Sequence, residues 1–243
     1  MTTGARVAAE VCPRLGKIGA AFYFTPETLA RGRELGLDGY RFYFLGRGGM
    51  LGDVEAPVVA SAFGYFEPGL VAHMWDTARQ KLAPRAAGAE YLACAHRFGR
   101  ERFAGIEGLH VFCRAAEAVA HAADLGALAL FAAVMGEPLP DDEPARAMHL
   151  AVALRELRGS VHLVAVRASG LTGRQAHFLK RPDDFELFGW KEHQVPEVTD
   201  EHRRAKQAAD TLTDELVAPA YAAIDDADAP AFIAAVQAME RAL

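Results

Sequence analysis

Helix start and stop signals recur along this chain, whereas runs of β-branched residues, which favour strands, are few. The stretch TPETLARGRELG illustrates these signals: Thr25 is placed to cap a helix, Pro26 suits its first position, and Gly36 ends it. Ala, Leu, Glu and Arg, which favour helices, dominate the composition. We therefore predict a mainly α-helical fold.

A proline-rich acidic stretch, GEPLPDDEPA, occupies residues 136–145 and has no hydrophobic periodicity. Such a stretch is typical of a linker. We therefore predict an N-terminal helical domain over residues 1–138 and a second domain over residues 139–243.

The second domain carries the pattern of a helix-turn-helix. Gly159-Ser160 indicates a helix stop followed by a new cap, so a helix is predicted over about 161–168. A turn at Ser169-Gly170 and a helix over 173–180 complete the motif. The following RPDDFELFGW, residues 181–190, predicts a short β-hairpin that would serve as a wing, as in winged-helix domains.

The composition restricts the functional classes. The formal net charge of −6 argues against non-specific nucleic-acid binding, which needs a basic surface. No apolar run is long enough to span a bilayer, and the first residues lack the order of a signal peptide. The three cysteines have no metal-binding spacing, and no phosphate loop, HExxH or GxSxG is present. We expect a cytoplasmic protein with reduced thiols that needs no metal and no cofactor.

Charged residues cluster at the end of the helix that precedes the motif. Arg155 and Arg158 are three residues apart, so they share a helix face and suit an anionic group. His162, near the predicted new helix start, would be held neutral by the helix dipole and could accept a proton. The alternative is an ion-pair network in which Glu156 braces two helices and His162 is structural.

A second candidate lining lies in the N-terminal half. Tyr23 and Glu27 are four residues apart, and Arg47 lies in a glycine-rich break with Asp53 just beyond it. Aromatic residues would form a wall around these polar groups, as in a small-molecule pocket. The wall comprises Phe22, Phe24, Tyr40, Phe42, Tyr43, Phe63, Tyr65 and Phe66. The alternative is an ordinary aromatic core in which Arg47 pairs with Asp53 or Glu27.

The second helix of the motif offers side chains for reading DNA in the major groove. They are Arg174, Gln175, His177, Lys180 and Arg181. The predicted wing, however, carries Asp183, Asp184 and Glu186, whose charges oppose contact with phosphates.

Five segments, in order, carry a family pattern: GAAFYFTPE, YFLGRGGMLG, SAFGYFEP, LRELRGSVHLVAVRASGLTG and TDEL. The matching positions outside TDEL are Tyr23, Phe24, Pro26, Glu27, Tyr43, Gly46, Arg47, Gly52, Phe63, Phe66, Pro68, Arg155, Glu156, Arg158, Gly159, His162, Gly170, Leu171 and His177. On these residues the chain resembles an actinobacterial helix-turn-helix family close to the MarR-like winged-helix proteins. The resemblance implies the fold predicted above. This chain departs from the family at Gly19, Gly64-Tyr65, Leu157 and Gln175, which suggests a changed ligand.

These patterns lead to a hypothesis of a biosynthetic enzyme of natural-product metabolism, acting by elimination, cyclisation or intramolecular displacement on a small molecule with an anionic group. Its acid/base candidates are Tyr23, Glu27, Asp53 and His162, and its anion-binding candidates are Arg47, Arg155, Arg158, Tyr65 and His177. In one version of this hypothesis, the protein is similar to the partner-dependent enzymes that close aziridine rings by expelling sulfate in azinomycin-type pathways.

Two alternatives stay open at this point. The first is a ligand-responsive DNA-binding regulator, and the second is a non-catalytic protein that binds an antibiotic or another small molecule. We expect no membrane association and no nucleic acid as the main partner. A homodimer or a small partner protein is left open.

Overall fold

The structure, a computed structural model, describes residues 2–243. Over that range the chain forms twelve α-helices, three short 3-10 helices and no β-strand, so the mainly helical class is confirmed. The α-helices are α1 (Thr3–Ile18), α2 (Pro26–Glu34), α3 (Gly39–Gly49), α4 (Ala56–Phe63), α5 (Pro68–Arg79), α6 (Pro84–Arg102), α7 (Leu109–Ala122), α8 (Ala129–Met135), α9 (Glu143–Ala168), α10 (Gly173–Lys180), α11 (Asp200–Tyr221) and α12 (Ala229–Arg241). The 3-10 helices are Pro182–Asp184, Glu186–Phe188 and Glu192–Gln194. Within the same residues, no helix has the length and apolar character needed to cross a lipid bilayer.

The predicted boundary signals of α2 are confirmed. The hydroxyl of Thr25 accepts a hydrogen bond of 3.3 Å from the backbone N–H of Thr28, and Pro26 is the first helical residue. Gly36 follows the helix with a φ of 76°, in the left-handed region that glycine adopts at little cost.

Helix α9 is the central element, and it packs against α1, α6, α7, α8 and α11. Every residue from Ala147 to Leu154 is buried, as expected for a helix surrounded on all sides. The main hydrophobic core also contains residues of α1, α3, α6, α7 and α12, and so draws on residues both before and after position 138. The division into domains at 138/139 stays a prediction.

The predicted helix break at Gly159-Ser160 is wrong, because α9 runs through both residues. Glycine inside a helix costs about 0.5–1 kcal/mol relative to alanine. Here Leu157 and Val161, on either side of the glycine, are buried in the main core. That burial outweighs the local preference of the Gly-Ser pair to end a helix.

The helix-turn-helix consists of the C-terminal part of α9, a tight turn and α10. Gly170 makes the turn with a φ of 81°. Thr172 caps α10: its hydroxyl accepts from the backbone N–H of Gln175 at 3.1 Å, and its own N–H donates to the Gln175 side chain at 2.9 Å. A small hydrophobic core that includes Leu171 and Ala209 holds the motif against α11.

The predicted β-hairpin over residues 181–190 is wrong, since this segment forms 3-10 turns. Pro182 cannot donate the backbone hydrogen bond of a strand ladder, and Gly189 turns the chain with a φ of 84° before a second strand can pair. The segment instead docks on the loop between α4 and α5. There the indole N–H of Trp190 donates to the backbone oxygen of Tyr65 at 2.9 Å.

Candidate functional site

A cavity of about 550 Å³ lies between α1, α9, α10 and the segment from Ala62 to Phe66. Among the described residues, its lining carries six cationic side chains and one carboxylate, so the lining is strongly positive. The cations are Lys17, Arg47, Arg155, Arg158, Lys180 and Arg181, and the carboxylate belongs to Glu156. This concentration of positive charge contrasts with the net charge of −6 of the whole chain.

Glu156 is the centre of a buried ion-pair network, and it is 1% exposed. Arg47 donates two hydrogen bonds to its carboxylate, both of 2.8 Å, and Arg155 donates a third of 2.7 Å. The hydroxyl of Tyr23 lies 3.4 Å from the same group. Burial alone would raise the pKa of Glu156, but the charges of Arg47 and Arg155 outweigh it and lower the pKa to about 2. The ionised carboxylate therefore compensates one of the two arginine charges.

Of the remaining cations, Lys17 pairs with Glu240 at 2.8 Å, whereas the cations near α10 are less compensated. One Nη of Arg158 donates to Asp214 at 3.3 Å, but its Nε is buried and has no hydrogen-bond partner among the described residues. Desolvation lowers the pKa of Lys180, and the positive charges of Arg181 and Lys206 lower it further. Because like charges repel one another, this arrangement favours a negatively charged occupant.

His162 lies beside these cations and is 8% exposed. Its Nδ1 is 2.8 Å from the hydroxyl oxygen of Thr213 on α11. Burial lowers the pKa of His162, and the charges of Arg158 and Lys180 lower it further, to about 4. The ring is therefore neutral at pH 7, as expected from the sequence, but for a different reason. Because α9 does not restart at Ser160, His162 is not at a helix N-terminus and the predicted dipole effect does not apply.

Two more lining residues each carry a buried polar atom that has no hydrogen-bond partner within residues 2–243. The atoms are the hydroxyl of Tyr65 and Nε2 of His177, which is 3% exposed. Desolvation raises the pKa of Tyr65, so its hydroxyl keeps its proton and is a donor. A buried polar group without a hydrogen bond costs about 1–3 kcal/mol. Together with Arg158, three residues that line one cavity each carry such a buried atom, so unsatisfied polar groups are concentrated at this cavity.

Aromatic rings form the apolar part of the lining. The rings of Phe66 and Phe188 stack with centroids 4.4 Å apart. The guanidinium of Arg47 lies 4.4 Å from the centre of the Phe63 ring. An apolar wall with a few polar groups on one side is typical of sites for small organic molecules.

The structure brings six of the sequence-predicted site residues to this cavity. They are Arg47, Tyr65, Arg155, Arg158, His162 and His177. Tyr23 lies behind the lining, where its ring is 5.0 Å from the guanidinium carbon of Arg155. The alternative of an Arg–Glu network that braces two helices matches the geometry in part. Arg155 pairs with Glu156 on its own helix, and Arg47, which that alternative did not include, joins α3 to α9 through Glu156. Arg158 lies outside this network.

Two predicted acid/base residues lie elsewhere. Glu27 is exposed on α2 and does not line the cavity. Asp53 forms an ion pair of 2.7 Å with Arg79. The predicted pairing of Arg47 with Glu27 or Asp53 is replaced by its pairing with Glu156.

Sequence reasoning missed the role of Thr213 and the position of two cations. Thr213 belongs to the TDEL segment of the family pattern, but its partner His162 is 51 positions away, so no local signal joins them. Lys180 and Arg181, which would contact DNA under the regulator alternative, are exposed and also line the cavity. In residues 2–243, no group of three or more His, Cys, Asp or Glu side chains is placed to hold a metal ion.

Comparison with known proteins adds one finding. The sequence profile of a helix-turn-helix family matches residues 8–195, which is most of the chain. The chain belongs to this helix-turn-helix family. No curated protein and no solved structure matches it. The match supports the helix-turn-helix part of the resemblance, and it gives no support to kinship with MarR-like or aziridine-forming proteins.

In this helix-turn-helix protein, α10 holds the position of the helix that reads DNA in other such motifs. The N-terminal residues of a recognition helix contact base edges. Here Gly173, at that end, packs closely against the loop after α4. The approach is so close that a Cβ at this position would lie 1.9 Å from the carbonyl oxygen of Gly64. The Gly173 side of the start of α10 therefore packs against the protein, whereas Thr172 and Arg174 stay exposed.

Proposed function

We propose that this helix-turn-helix protein binds a small organic anion in the cavity between α9 and α10. The observation that carries the proposal is the coincidence of uncompensated positive charge with three unpartnered buried polar atoms. Those atoms belong to Tyr65, Arg158 and His177. A protein retains such groups without internal partners where a ligand supplies the missing hydrogen bonds.

The cavity lining also favours a ligand with an anionic group on an apolar or aromatic body. Lys180 and Arg158 suit a carboxylate, sulfate or phosphate group, since each donates charge-assisted hydrogen bonds. The stacked rings of Phe66 and Phe188 suit an apolar or aromatic body. The volume of about 550 Å³ is in the usual range for small-molecule sites.

Isothermal titration of the protein with benzoate and with sulfate tests the proposal. Arg158→Gln and Lys180→Gln are each expected to weaken benzoate binding about 10-fold or more, because a hydrogen bond to a charged group contributes about 1.5–3 kcal/mol. Arg33→Gln is the matched control, since Arg33 is exposed on α2 and does not line the cavity. Absence of binding to the wild type, or equal binding by all variants, contradicts the proposal.

A second candidate function is sequence-specific DNA binding, and the family match favours it over an enzymatic role. Arg174, exposed on α10, would then contact the DNA. The net charge of −6 and the docked start of α10 weigh against this candidate. The hypothesis of an enzyme that expels sulfate stays a prediction.

A gel-shift assay with a pool of randomised duplex DNA at low and moderate salt tests the second candidate. DNA binding predicts retention that falls steeply with salt and is weakened by Arg174→Gln but not by Arg33→Gln. If the wild type retains no DNA at low salt, the candidate is excluded.

A further inference from the structure

The proton positions around His162 restrict the chemistry of the ligand. Resting on the proposed function, we infer that the bound anion carries an O–H or N–H donor, which it presents to Nε2 of His162. Thr213 is the positioning residue, because it holds the imidazole of His162 in the tautomer that accepts this bond. The favoured ligand class is a hydroxylated aromatic acid or its N–H-bearing analogue.

The tautomer follows from the single proton of Thr213. Its hydroxyl lies 2.6 Å from the backbone oxygen of Ala209, one turn earlier in α11, and a carbonyl can only accept. The Thr213 proton is therefore used in that bond. The contact of 2.8 Å between Thr213 Oγ1 and His162 Nδ1 then requires Nδ1 to be the donor. A neutral imidazole has one N–H, so Nε2 carries a lone pair.

Charges around His162 keep the ring in this neutral state. The charged groups that act on it are Arg158 on its own helix, Lys180 on α10, and Lys206 and Asp210 on α11. Three of these four are cationic, and the ring is buried as well. A second proton on the imidazole is therefore disfavoured, and the ring faces the ligand as an acceptor.

The neighbouring groups of the cavity have the opposite character. Arg158 and Lys180 only donate, and the Tyr65 hydroxyl has a proton without an acceptor. They match the oxygens of a carboxylate, whereas Nε2 of His162 needs a donor. A hydroxybenzoate supplies both, and its ring fits beside Phe66 and Phe188.

The test compares the three hydroxybenzoate isomers with the fluorobenzoates substituted at the same ring positions. Fluorine is close in size to a hydroxyl group but has no proton to donate. The wild type is expected to bind the best hydroxybenzoate about 10-fold or more tightly than its fluoro counterpart, because a buried acceptor is left unpaired in the fluoro complex. Calorimetry gives both dissociation constants.

Thr213→Val removes the acceptor that holds Nδ1–H, and Thr213→Ser is the matched control that keeps it. With valine, the ratio of the fluorobenzoate to the hydroxybenzoate dissociation constant is expected to fall from about 10 to less than about 3. The reason is that the imidazole of His162 becomes free to change tautomer. Serine is expected to retain the preference. A purely structural role of Thr213 would weaken both ligands equally and leave their ratio unchanged, which would overturn the inference.

A measurement on the wild type covers the case in which Thr213→Val fails to fold. Nitrogen-15 NMR of the His162 ring is expected to report a protonated Nδ1 and an unprotonated Nε2, with and without hydroxybenzoate. The opposite tautomer, or proton uptake by the ring on binding, overturns the inference.

The two proposals fail in different ways. If benzoate, hydroxybenzoate and fluorobenzoate bind equally well, the donor requirement is wrong and the proposed anion site stands. If none of these carboxylates and no sulfate binds, the proposed function is wrong and the inference falls with it.

Discussion

Two groups of charged residues line the same cavity and differ in how they are satisfied. In the Glu156 network, a buried carboxylate takes three hydrogen bonds from Arg47 and Arg155. In the group formed by Arg158, His162 and Lys180, cations adjoin a neutral imidazole, and Nε of Arg158 has no partner among residues 2–243. The carboxylate of the first group is satisfied by donors of the protein, whereas the second group contains a buried nitrogen without a partner in the described residues.

This difference separates a stabilising role from a binding role. Removal of one partner of a satisfied buried ion pair strongly destabilises the protein, because the other charge is left buried without compensation. An incomplete group contributes little to folding, or opposes it, and gains its partners from a ligand. Substitutions in the Glu156 network should therefore mainly lower the free energy of unfolding. Substitutions in the second group should mainly weaken ligand binding.

The largest effect is expected from Glu156→Gln. Loss of the buried carboxylate charge leaves the partly buried Arg47 and Arg155 without compensation and should lower the free energy of unfolding by about 3–5 kcal/mol. Urea unfolding followed by circular dichroism measures it. Arg158→Gln, from the incomplete group, should cost less than about 1 kcal/mol, because a partly exposed ion pair contributes little. Equal losses in the two variants would refute the distinction.

The pH dependence of stability is expected to differ between His162 and Glu156, and this is the second-largest effect. The pKa of His162 is lowered to about 4 by burial and nearby cations, so the unfolded chain binds more protons between about pH 6.5 and 4. Stability should therefore fall as the pH falls through that window, by up to about 1.4 kcal/mol per pH unit from this residue. The pKa of Glu156 is lowered to about 2, below its value in the unfolded chain. The stabilisation that its ionised carboxylate provides is therefore complete above the unfolded pKa and is lost as the pH falls towards about 2.

Urea unfolding at several pH values measures this dependence. His162→Gln should give a shallower fall between pH 6.5 and 4.5 than the wild type. The pKa of His96 is also lowered to about 4, by burial and by the facing His149, so part of the slope persists in the variant. Identical slopes in the two proteins would show that His162 is not held neutral by the fold.

Gly173→Ala tests the docking of α10 without altering a charge. Its Cβ would clash with the carbonyl oxygen of Gly64, 1.9 Å away, and the expected loss is about 1–3 kcal/mol. Because α10 carries Lys180 and His177, benzoate affinity should fall as well. Gly159→Ala is the control: its Cβ meets only a Glu156 oxygen at 4.0 Å, and alanine should stabilise α9 by about 0.5–1 kcal/mol. Thermal unfolding of the two variants should shift in opposite directions.

Lys180→Gln should have the smallest effect on folding. It removes a cation that lies near Arg158 and Arg181, so the free energy of unfolding should stay within about 0.5 kcal/mol of the wild type. The same variant should lose benzoate affinity, which calorimetry measures. A large loss of stability would place Lys180 in the structural network instead of the binding group.

The helical class and several boundaries were predictable because their signals are local. The cap at Thr25 and the turn at Gly170 act through hydrogen bonds and φ angles within a few residues. The break at Gly159-Ser160 was wrong, since burial of the surrounding helix overrides a weak local preference. The hairpin was wrong because Trp190 and its neighbours found a partner in the loop at Tyr65, not in a second strand.

The sequence by itself determined a helical chain, a helix-turn-helix near residues 161–180 and a cluster around Arg155, Arg158 and His162. Only the tertiary structure decided which of these side chains are satisfied. Arg47 and Glu156 are 109 positions apart, and His162 and Thr213 are 51 apart. No periodicity or local propensity encodes such pairs, because they form only when helices distant in the chain pack together. The same packing also brings Lys180 to the lining of the cavity beside Arg158 and His162.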